Sequence, residues 1–397
     1  MTDSRIYRAS ATAPVNIAVI KYWGKRDIPL ILPTSSSLSV TLSQDDLRAH
    51  TTATCSSSYA PADTLLLNGE VQNIDNSRTT KCFAALRQLR KSLEESHPSL
   101  PPLSQYPLHL ASANNFPTAA GLASSAAGFA ALVRAVANLY ELPTSATELS
   151  RIARQGSGSA CRSLFGGYVA WNMGERMDGA DSVAVQIAPA SHWPSMRALI
   201  LVVSAAKKSV SSTAGMQSTV ATSSLFPRRA AEIVPARMRA MERAIQSRDF
   251  DSFAHITMCE SNSFHATCLD TDPPIFYLND VSRAAIRVVE GINAHAGSRV
   301  AAYTFDAGPN AVVYYLAENS AAATDVFRDA LGHLEGWTAG GAPSTTATPS
   351  PIPAAVDRKA LAVLKEGVSR VILTGVGEGP LSTDEHLIGA DGEVVRG

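Results

Sequence analysis

The sequence predicts an α+β fold, on three observations. Helical and strand patterns interleave without the regular β-α-β rhythm of a doubly wound sheet. At 397 residues the chain is long for one core, so two domains or one large two-layer unit is expected. A loop of small residues, 114–125, runs straight into an amphipathic helix, an arrangement that presents free backbone N–H groups to a ligand.

Residues 36–42 and 47–55 read as strands, and 64–73 as a hairpin around Asn68-Gly69, a favoured turn pair. A helix is expected from Ser77 to about Glu95, with Cys82, Phe83, Leu86 and Leu89 on one side. Residues 107–112 alternate as a strand and deliver the chain to the small-residue loop. Ala126 to Tyr140 carries Phe129, Leu132, Val133, Val136, Leu139 and Tyr140 at the spacing of one buried helical face. The next helix starts at Ser145, which stands at capping-box spacing from Glu148, and runs to Arg154. Tyr168 to Trp171 follows as a strand.

A domain boundary is expected near Pro189–Pro194, dividing the chain into 1–192 and 193–397. Beyond it, Leu199–Ser204 reads as a buried strand, and 228–247 and 249–264 as helices. Arg299–Phe305 and Ala311–Leu316 are strands around the turn Asp306-Ala307-Gly308-Pro309-Asn310. The stretch 340–353, rich in Pro, Thr, Ser and Ala, reads as a surface insertion or disordered loop.

Composition excludes several function classes. A formal net charge of −1 argues against a general nucleic-acid binder. The five cysteines, Cys55, Cys82, Cys161, Cys259 and Cys268, are scattered and form no C-x-x-C pair. Structural zinc and a disulfide framework are therefore not expected, and a reducing compartment fits. No apolar run of about 18 residues is long enough to span a membrane, and the N-terminus lacks a signal-peptide pattern. A soluble, cytoplasmic protein is the expectation.

Five segments carry chemistry. Asn114-Asn115-Phe116-Pro117-Thr118-Ala119-Ala120-Gly121-Leu122-Ala123-Ser124-Ser125 places a helix N-terminus, whose dipole favours phosphate, behind a small-residue loop. Ser124 and Ser125 can cap the helix, touch a phosphate or reach a phosphate-bound Mg²⁺. No Gly-Lys-Ser/Thr follows the glycine, so this is not a Walker A loop. Lys21-Tyr22-Trp23-Gly24-Lys25-Arg26-Asp27, with Asn16 upstream, is either a diphosphate grip walled by aromatics or a solvated charged turn. Gly156-Ser157-Gly158-Ser159-Ala160-Cys161-Arg162-Ser163 combines close backbone approach, hydroxyls and a guanidinium suited to carboxylate or phosphate. Residues 204–213, with Lys207, Lys208 and Thr213, can bind phosphate or form an exposed loop. Asp306 ends a strand and can make an Asx-turn or serve as a general base. His255 and His265 read as packed or surface residues, and Cys161 lacks a histidine partner for nucleophilic catalysis.

Taken together, APVNIAVIKYWGKRD at 13–27, LPTSSSLSVTL at 32–42, NNFPTAAGLASSAAG at 114–128, GSGSACRSLFGGYVAW at 156–171 and FDAGPNA at 305–311 resemble the GHMP small-molecule kinase superfamily. Within it the chain is similar to the mevalonate diphosphate decarboxylase family of the eukaryotic type. The resemblance implies a two-domain fold, with an N-terminal part like ribosomal protein S5 domain 2 and a ferredoxin-like C-terminal part, and an active site in the cleft between them. It implies ATP-dependent decarboxylation of (R)-mevalonate 5-diphosphate to isopentenyl diphosphate, with Mg²⁺ bridging the ATP phosphates, no dedicated protein metal site, and a homodimer.

By the same resemblance Asp306 is the catalytic carboxylate, Lys21 the cation beside it, and Arg162 the arginine on the substrate carboxylate. Ser125 orients substrate or phosphate, and Asn16 helps fix the hydroxyl-bearing end. Ser157 and Ser159 face the substrate diphosphate, and Gly158, Ala160 and Cys161 share their segment. Tyr22, Trp23, Gly24, Lys25, Arg78 and Thr213 match substrate-binding positions. Asn114, Pro117, Ala119, Ala120, Gly121, Leu122, Ala123, Ser124 and Ser125 belong to the ATP loop, whose Ala119 and Ala123 replace glycines of many sister kinases. The rivals are a small-molecule kinase acting on mevalonate or phosphomevalonate, and a non-catalytic nucleotide-binding homologue.

Overall fold

The computed structural model describes residues 5–75, 77–116, 124–203, 210–337 and 352–395. Three main sheets and the helices packed on them form the chain, in keeping with the α+β expectation. Among the described residues every strand pairing is antiparallel except Thr64–Leu67 beside Leu108–Asn114, the reverse of a doubly wound design.

The first sheet has six strands, in the order Leu381–Thr383, Tyr7–Pro14, Arg48–Cys55, Leu108–Asn114, Thr64–Leu67 and Glu70–Val71. Its hairpin turns at Asn68-Gly69, where φ is +51° and +82°, the pair of positive values a type I′ turn needs. The second sheet orders Ala184–Ala188, Tyr168–Trp171, Ser37–Thr41 and Asn16–Ile20. The third orders Ala301–Phe305, Ala311–Leu316, Met196–Val203 and Val368–Gly375.

The phosphate-loop helix begins at Ser124, two residues ahead of the expected Ala126, and runs to Leu139. Its alanine-rich inner face, including Ala127, Ala130 and Ala131, lets it lie close on the strands Tyr7–Pro14 and Arg48–Cys55. The helix Ala146–Gly156 has the expected capping box, with Ser145 Oγ accepting from Glu148 N at 3.2 Å and Glu148 Oε2 accepting from Ser145 N at 3.1 Å. In the second half, Val234–Ser247 and Phe250–Leu269 pack together, Asp249 capping the latter. Helices Asp280–Ala296, Ser320–Leu331 and Arg358–Gly367 add to those expected. One continuous apolar core runs from Ala11 to Leu373, and Trp193 bridges the halves, 6.4 Å from the Tyr168 ring and 5.9 Å from that of Phe253. Among the described residues no helix is long and apolar enough to cross a membrane. Most of the stretch 340–353 lies outside the described residues.

The helix Ser77–Ser96 departs from its expected stripe. Leu89 is 37% exposed, whereas Arg90 is wholly buried, four residues beyond Leu86 on the same face. Its guanidinium donates to Glu94 Oε1 at 2.8 Å, Tyr140 O at 2.8 Å and Pro101 O at 2.9 Å. Glu94 also accepts from Ser104, and Pro101 O from the Leu103 N–H, so Tyr140 O is the partner that relies on Arg90 among the described residues. Arg90→Met should lower unfolding free energy by about 1–3 kcal/mol, because Tyr140 O stays buried without a donor. Urea denaturation followed by circular dichroism measures it, and a loss under about 1 kcal/mol would contradict this account.

Candidate active site

A cavity of about 800 Å³ opens between the two halves of the chain. The first half lends Asn16, Lys21, Lys25, Arg78, Ser157 and Arg162 to its wall, and the second lends Thr213, Met216, Phe264 and Asp306. Lys21 follows directly on the strand Asn16–Ile20, and Asp306 follows directly on Ala301–Phe305. The two strand ends meet there. Lys21 Nζ lies 2.7 Å from Asp306 Oδ1, with side-chain exposures of 3% and 29%. Burial pushes the Lys21 ammonium below its ordinary range, and the Asp306 carboxylate pulls it back up. The lysine is sealed, while the aspartate keeps a face toward the cavity.

Arg162 is the second buried cation. It lies in the 3₁₀ segment Gly158–Leu164, where a Gly/Ser linker was one reading of the sequence. Its Nε donates to Asn16 Oδ1 at 3.2 Å and Ser39 Oγ at 3.0 Å, and Nη1 donates to Ser37 Oγ at 2.5 Å. Nη2 has no hydrogen-bond partner among the described residues. Asn16 is itself fixed, donating to Ser163 Oγ at 2.7 Å and Ser159 O at 3.2 Å. All three acceptors around Arg162 are neutral, so burial lowers its pKa with Asp306 only partly offsetting. A guanidinium in that state favours an anion at its free edge.

The remaining polar groups ring the same space. Burial, then the charge of Arg78, holds the Lys25 ammonium below its usual value. Arg78 Nη2 donates to Thr213 Oγ1 at 3.0 Å, tying the first half to the first turn of the helix Ser212–Thr222. Ser124 and Ser125 stand on the wall at the N-terminus of the helix Ser124–Leu139. Ser125 Oγ is 3.2 Å from Ser157 Oγ, which is 3.4 Å from Ser159 Oγ, giving a line of hydroxyls. A helix N-terminus, three hydroxyls and two cations make a donor set that fits phosphate oxygens.

The aromatic part of the wall is held from behind. Trp23 Nε1 donates to Thr219 Oγ1 at 3.1 Å, and the ring meets Phe264 edge-on at 4.8 Å, so the wall receives only its carbon surface. Tyr22 packs 4.6 Å from Trp171, and its buried hydroxyl has no partner among the described residues. A side chain on Gly158 would strike that tyrosine ring at 2.8 Å.

Four expected positions do not line the cavity. Gly24 has φ +93°, and a Cβ there would fall 2.5 Å from the Phe226 ring, so it is needed for the turn itself. Ala160 and Cys161 point into the core, and burial pushes the Cys161 thiol up to about 12. Asn114 donates its backbone N–H to Asn68 Oδ1 at 2.9 Å at the end of its strand. Pro117, Ala119, Ala120, Gly121, Leu122 and Ala123, with Lys207 and Lys208, lie outside the described residues.

Reading the sequence missed Ser37 and Ser39, the strand serines that hold Arg162, and Glu260, which is fully buried behind Lys21. The serines alternate on one strand and share a face, which is a usable signal once a buried arginine needs acceptors. Glu260 falls in the buried stripe of its helix with Thr257, Ser261 and Phe264, where a carboxylate requires a partner.

The pair geometry has a consequence independent of any ligand. Asp306→Asn removes the charge that opposes the burial of Lys21, so Lys21 should lose its proton at lower pH than in the wild type. NMR titration of isotopically methylated lysines reads this directly, and an unchanged Lys21 titration would contradict the pairing.

Two family models match in chain order. The Diphosphomevalonate decarboxylase-like N-terminal domain matches residues 13–184, and the Mevalonate 5-diphosphate decarboxylase C-terminal domain matches residues 198–383. The diphosphomevalonate decarboxylase of Aspergillus fumigatus is 63% identical, with 99% of this chain and 98% of that protein covered. An X-ray structure of a mevalonate 5-diphosphate decarboxylase is similar with a TM-score of 0.89 at 56% identity, covering 98% of this chain and 100% of that one. A more divergent protein, MDDEF, solved in complex with MVAPP, AMPPCP and magnesium, has a TM-score of 0.72 at 31% identity over 96% of this chain and 100% of its own. The chain therefore belongs to the mevalonate diphosphate decarboxylase family, with the GHMP-kinase fold.

Proposed function

We propose that the chain catalyses ATP-dependent decarboxylation of (R)-mevalonate 5-diphosphate to isopentenyl diphosphate, ADP, phosphate and CO₂, as a step of isoprenoid and sterol biosynthesis. The observation that carries this reading is a buried guanidinium, Arg162, with one edge free, on the same cavity as a lysine-paired carboxylate, Asp306. Phosphoryl transfer calls for a carboxylate near a hydroxyl and a cradle for phosphates. Decarboxylation adds a demand for a cation that orients a substrate carboxylate.

In the proposed reaction Asp306 accepts the proton of the tertiary hydroxyl as its oxygen attacks the γ-phosphorus of ATP. The bond from that phosphorus to the ADP oxygen breaks, and its electrons leave with ADP. The C–O bond then breaks toward the new phosphate, which departs with its charge spread over several oxygens. Electrons of the bond to the carboxylate carbon form the alkene as CO₂ leaves. The Lys21 ammonium, 2.7 Å from Asp306 Oδ1, holds that carboxylate in place as it takes the proton. Arg162 and Asn16 set the carboxylate end, while Ser157, Ser159, Lys25, Arg78 and Thr213 serve the phosphate-bearing end.

Ser124 and Ser125, with the loop ahead of them, serve the nucleotide. Among the described residues no group of three or more His, Cys, Asp or Glu side chains is placed to hold a metal ion. The hydroxyls on the wall fit Mg²⁺ carried on the ATP phosphates, where it would neutralise their charge. The division at 192/193, a homodimeric state and a cytoplasmic location complete the proposal, the last supported by five free cysteines.

Asp306→Asn should lower kcat by about 10²–10⁴-fold while ATP and substrate still bind, as measured by calorimetry beside turnover. Arg162→Gln should depress release of CO₂ from carboxyl-labelled mevalonate 5-diphosphate, with ATP affinity little changed. ATP turnover by the wild type without labelled CO₂ would favour the kinase reading instead.

A further inference from the structure

Lys21 and Asp306 stand 285 positions apart in the chain, and their 2.7 Å contact requires two backbones from different sheets to be held in register. One helix, Phe250–Leu269, holds both at adjacent residues. Glu260 Oε1 accepts from the backbone N–H of Lys21 at 3.1 Å. Ser261 Oγ accepts from the backbone N–H of Phe305, the residue before Asp306, also at 3.1 Å. Glu260 is fully buried and Ser261 nearly so.

Glu260 is anchored in turn. Arg237 Nη1 donates to its Oε2 at 2.7 Å, Arg229 Nη1 reaches the same oxygen at 3.3 Å, and Arg229 Nη2 binds Oε1. Arg229 also donates to Ser263 Oγ at 3.0 Å. Arg229 opens a π-helical turn, Arg229–Ile233, just before Pro235, which has no N–H to close an α-turn on Ala231. A buried Arg-Glu-Arg cluster contributes little net stability over packed apolar side chains. What it does supply is a carboxylate that cannot shift, directed at the Lys21 backbone.

We infer that Glu260 and Ser261 form a two-residue clamp that sets the Lys21–Asp306 geometry, Glu260 from the lysine side and Ser261 from the aspartate side. Both are positioning residues, since neither lines the cavity. The inference rests on the proposed function, because it gives the pair its role in that reaction. Glu260 has a second effect: its charge favours the ammonium form of Lys21 against burial.

The test compares full-length wild type, Ser261→Ala, Glu260→Gln and a control, Ser150→Ala, with ATP and carboxyl-labelled mevalonate 5-diphosphate. Ser150 is the matched control because its buried Oγ likewise accepts a strand N–H, that of Ala184 at 3.1 Å, and it is absent from the cavity wall. Ser261→Ala should lower kcat about ten- to a hundredfold with both KM values within about twofold, since small misplacement of reacting groups is enough for such losses. Ser150→Ala should keep wild-type kcat at a similar drop in Tm. Equal kcat in the two serine variants overturns the clamp.

Glu260→Gln leaves two arginines short of a counter-charge, so the serine comparison decides the matter should that variant not fold. When it folds, the Lys21 amine, which also faces Asp306, Arg162 and His265, should deprotonate at lower pH by NMR without any substrate present. An unchanged titration overturns the electrostatic half of the role. Labelled CO₂ from the wild type tests the reaction itself, so failure of that reading is distinguishable from failure of the clamp.

Discussion

The contact on which this structure depends is a buried ammonium against a half-open carboxylate, contributed by strands of two different sheets. An isolated lysine under burial would shed its proton, and its partner would then face no cation. Lys21 and Asp306 therefore need each other chemically, and the chain must bring them together across 285 positions. The arrangement is asymmetric in a useful way. Lys21 is almost wholly buried at the cavity wall, while Asp306 keeps 29% of its side chain exposed.

Arg162 obeys the opposite rule. Its three acceptors, Ser37, Ser39 and Asn16, carry no charge, so they fix its plane without neutralising it. Lys25 on the same wall has no carboxylate partner among the described residues, and Arg78 is tied to Thr213. The cavity thus combines one internally balanced pair with two cations, Arg162 and Lys25, that face no carboxylate in hydrogen-bond contact among the described residues. That balance suits two polyanionic ligands and explains how a chain of net charge −1 can still present an anion site.

Much of the candidate site was legible in the sequence, but through its segments taken together. Asp306 at a strand end and the lysine-aromatic run at 21–25 each also allowed a plain turn, and Arg162 among glycines and serines allowed a linker. The supporting residues were not legible. Ser37 and Ser39 look like ordinary strand serines until the pairing of their strand with Tyr168–Trp171 and Asn16–Ile20 brings them to Arg162. Glu260 acquires meaning only through Lys21, 239 positions away. The first two strands, Tyr7–Pro14 and Asn16–Ile20, escaped reading for a related reason. Their later residues are buried throughout, so the polar alternation that marks a half-exposed strand is missing. Leu89 and Arg90 exchanged places because a periodicity reading assigns burial to apolar residues, while here the buried carbonyl of Tyr140 takes its donor from Arg90.

The state of Arg162 also bears on how strongly it should hold a carboxylate. A carboxylate loses its charge as CO₂ forms, so a cation that gripped it with every donor would stabilise the starting state more than the transition state. Arg162 has already given its Nε–H and one Nη1–H to protein oxygens, which leaves the second Nη1–H and both N–H groups of Nη2. In the proposed reaction such a guanidinium aligns the carboxylate, and with it the carbon–carbon bond that must break, against the departing phosphate. The rate gain then comes from orientation. In the proposed reaction the hydroxyls of Ser37 and Ser39 thus do more than satisfy a buried arginine. By taking two of its five N–H donors, they fix its plane and limit the directions from which it can meet the carboxylate.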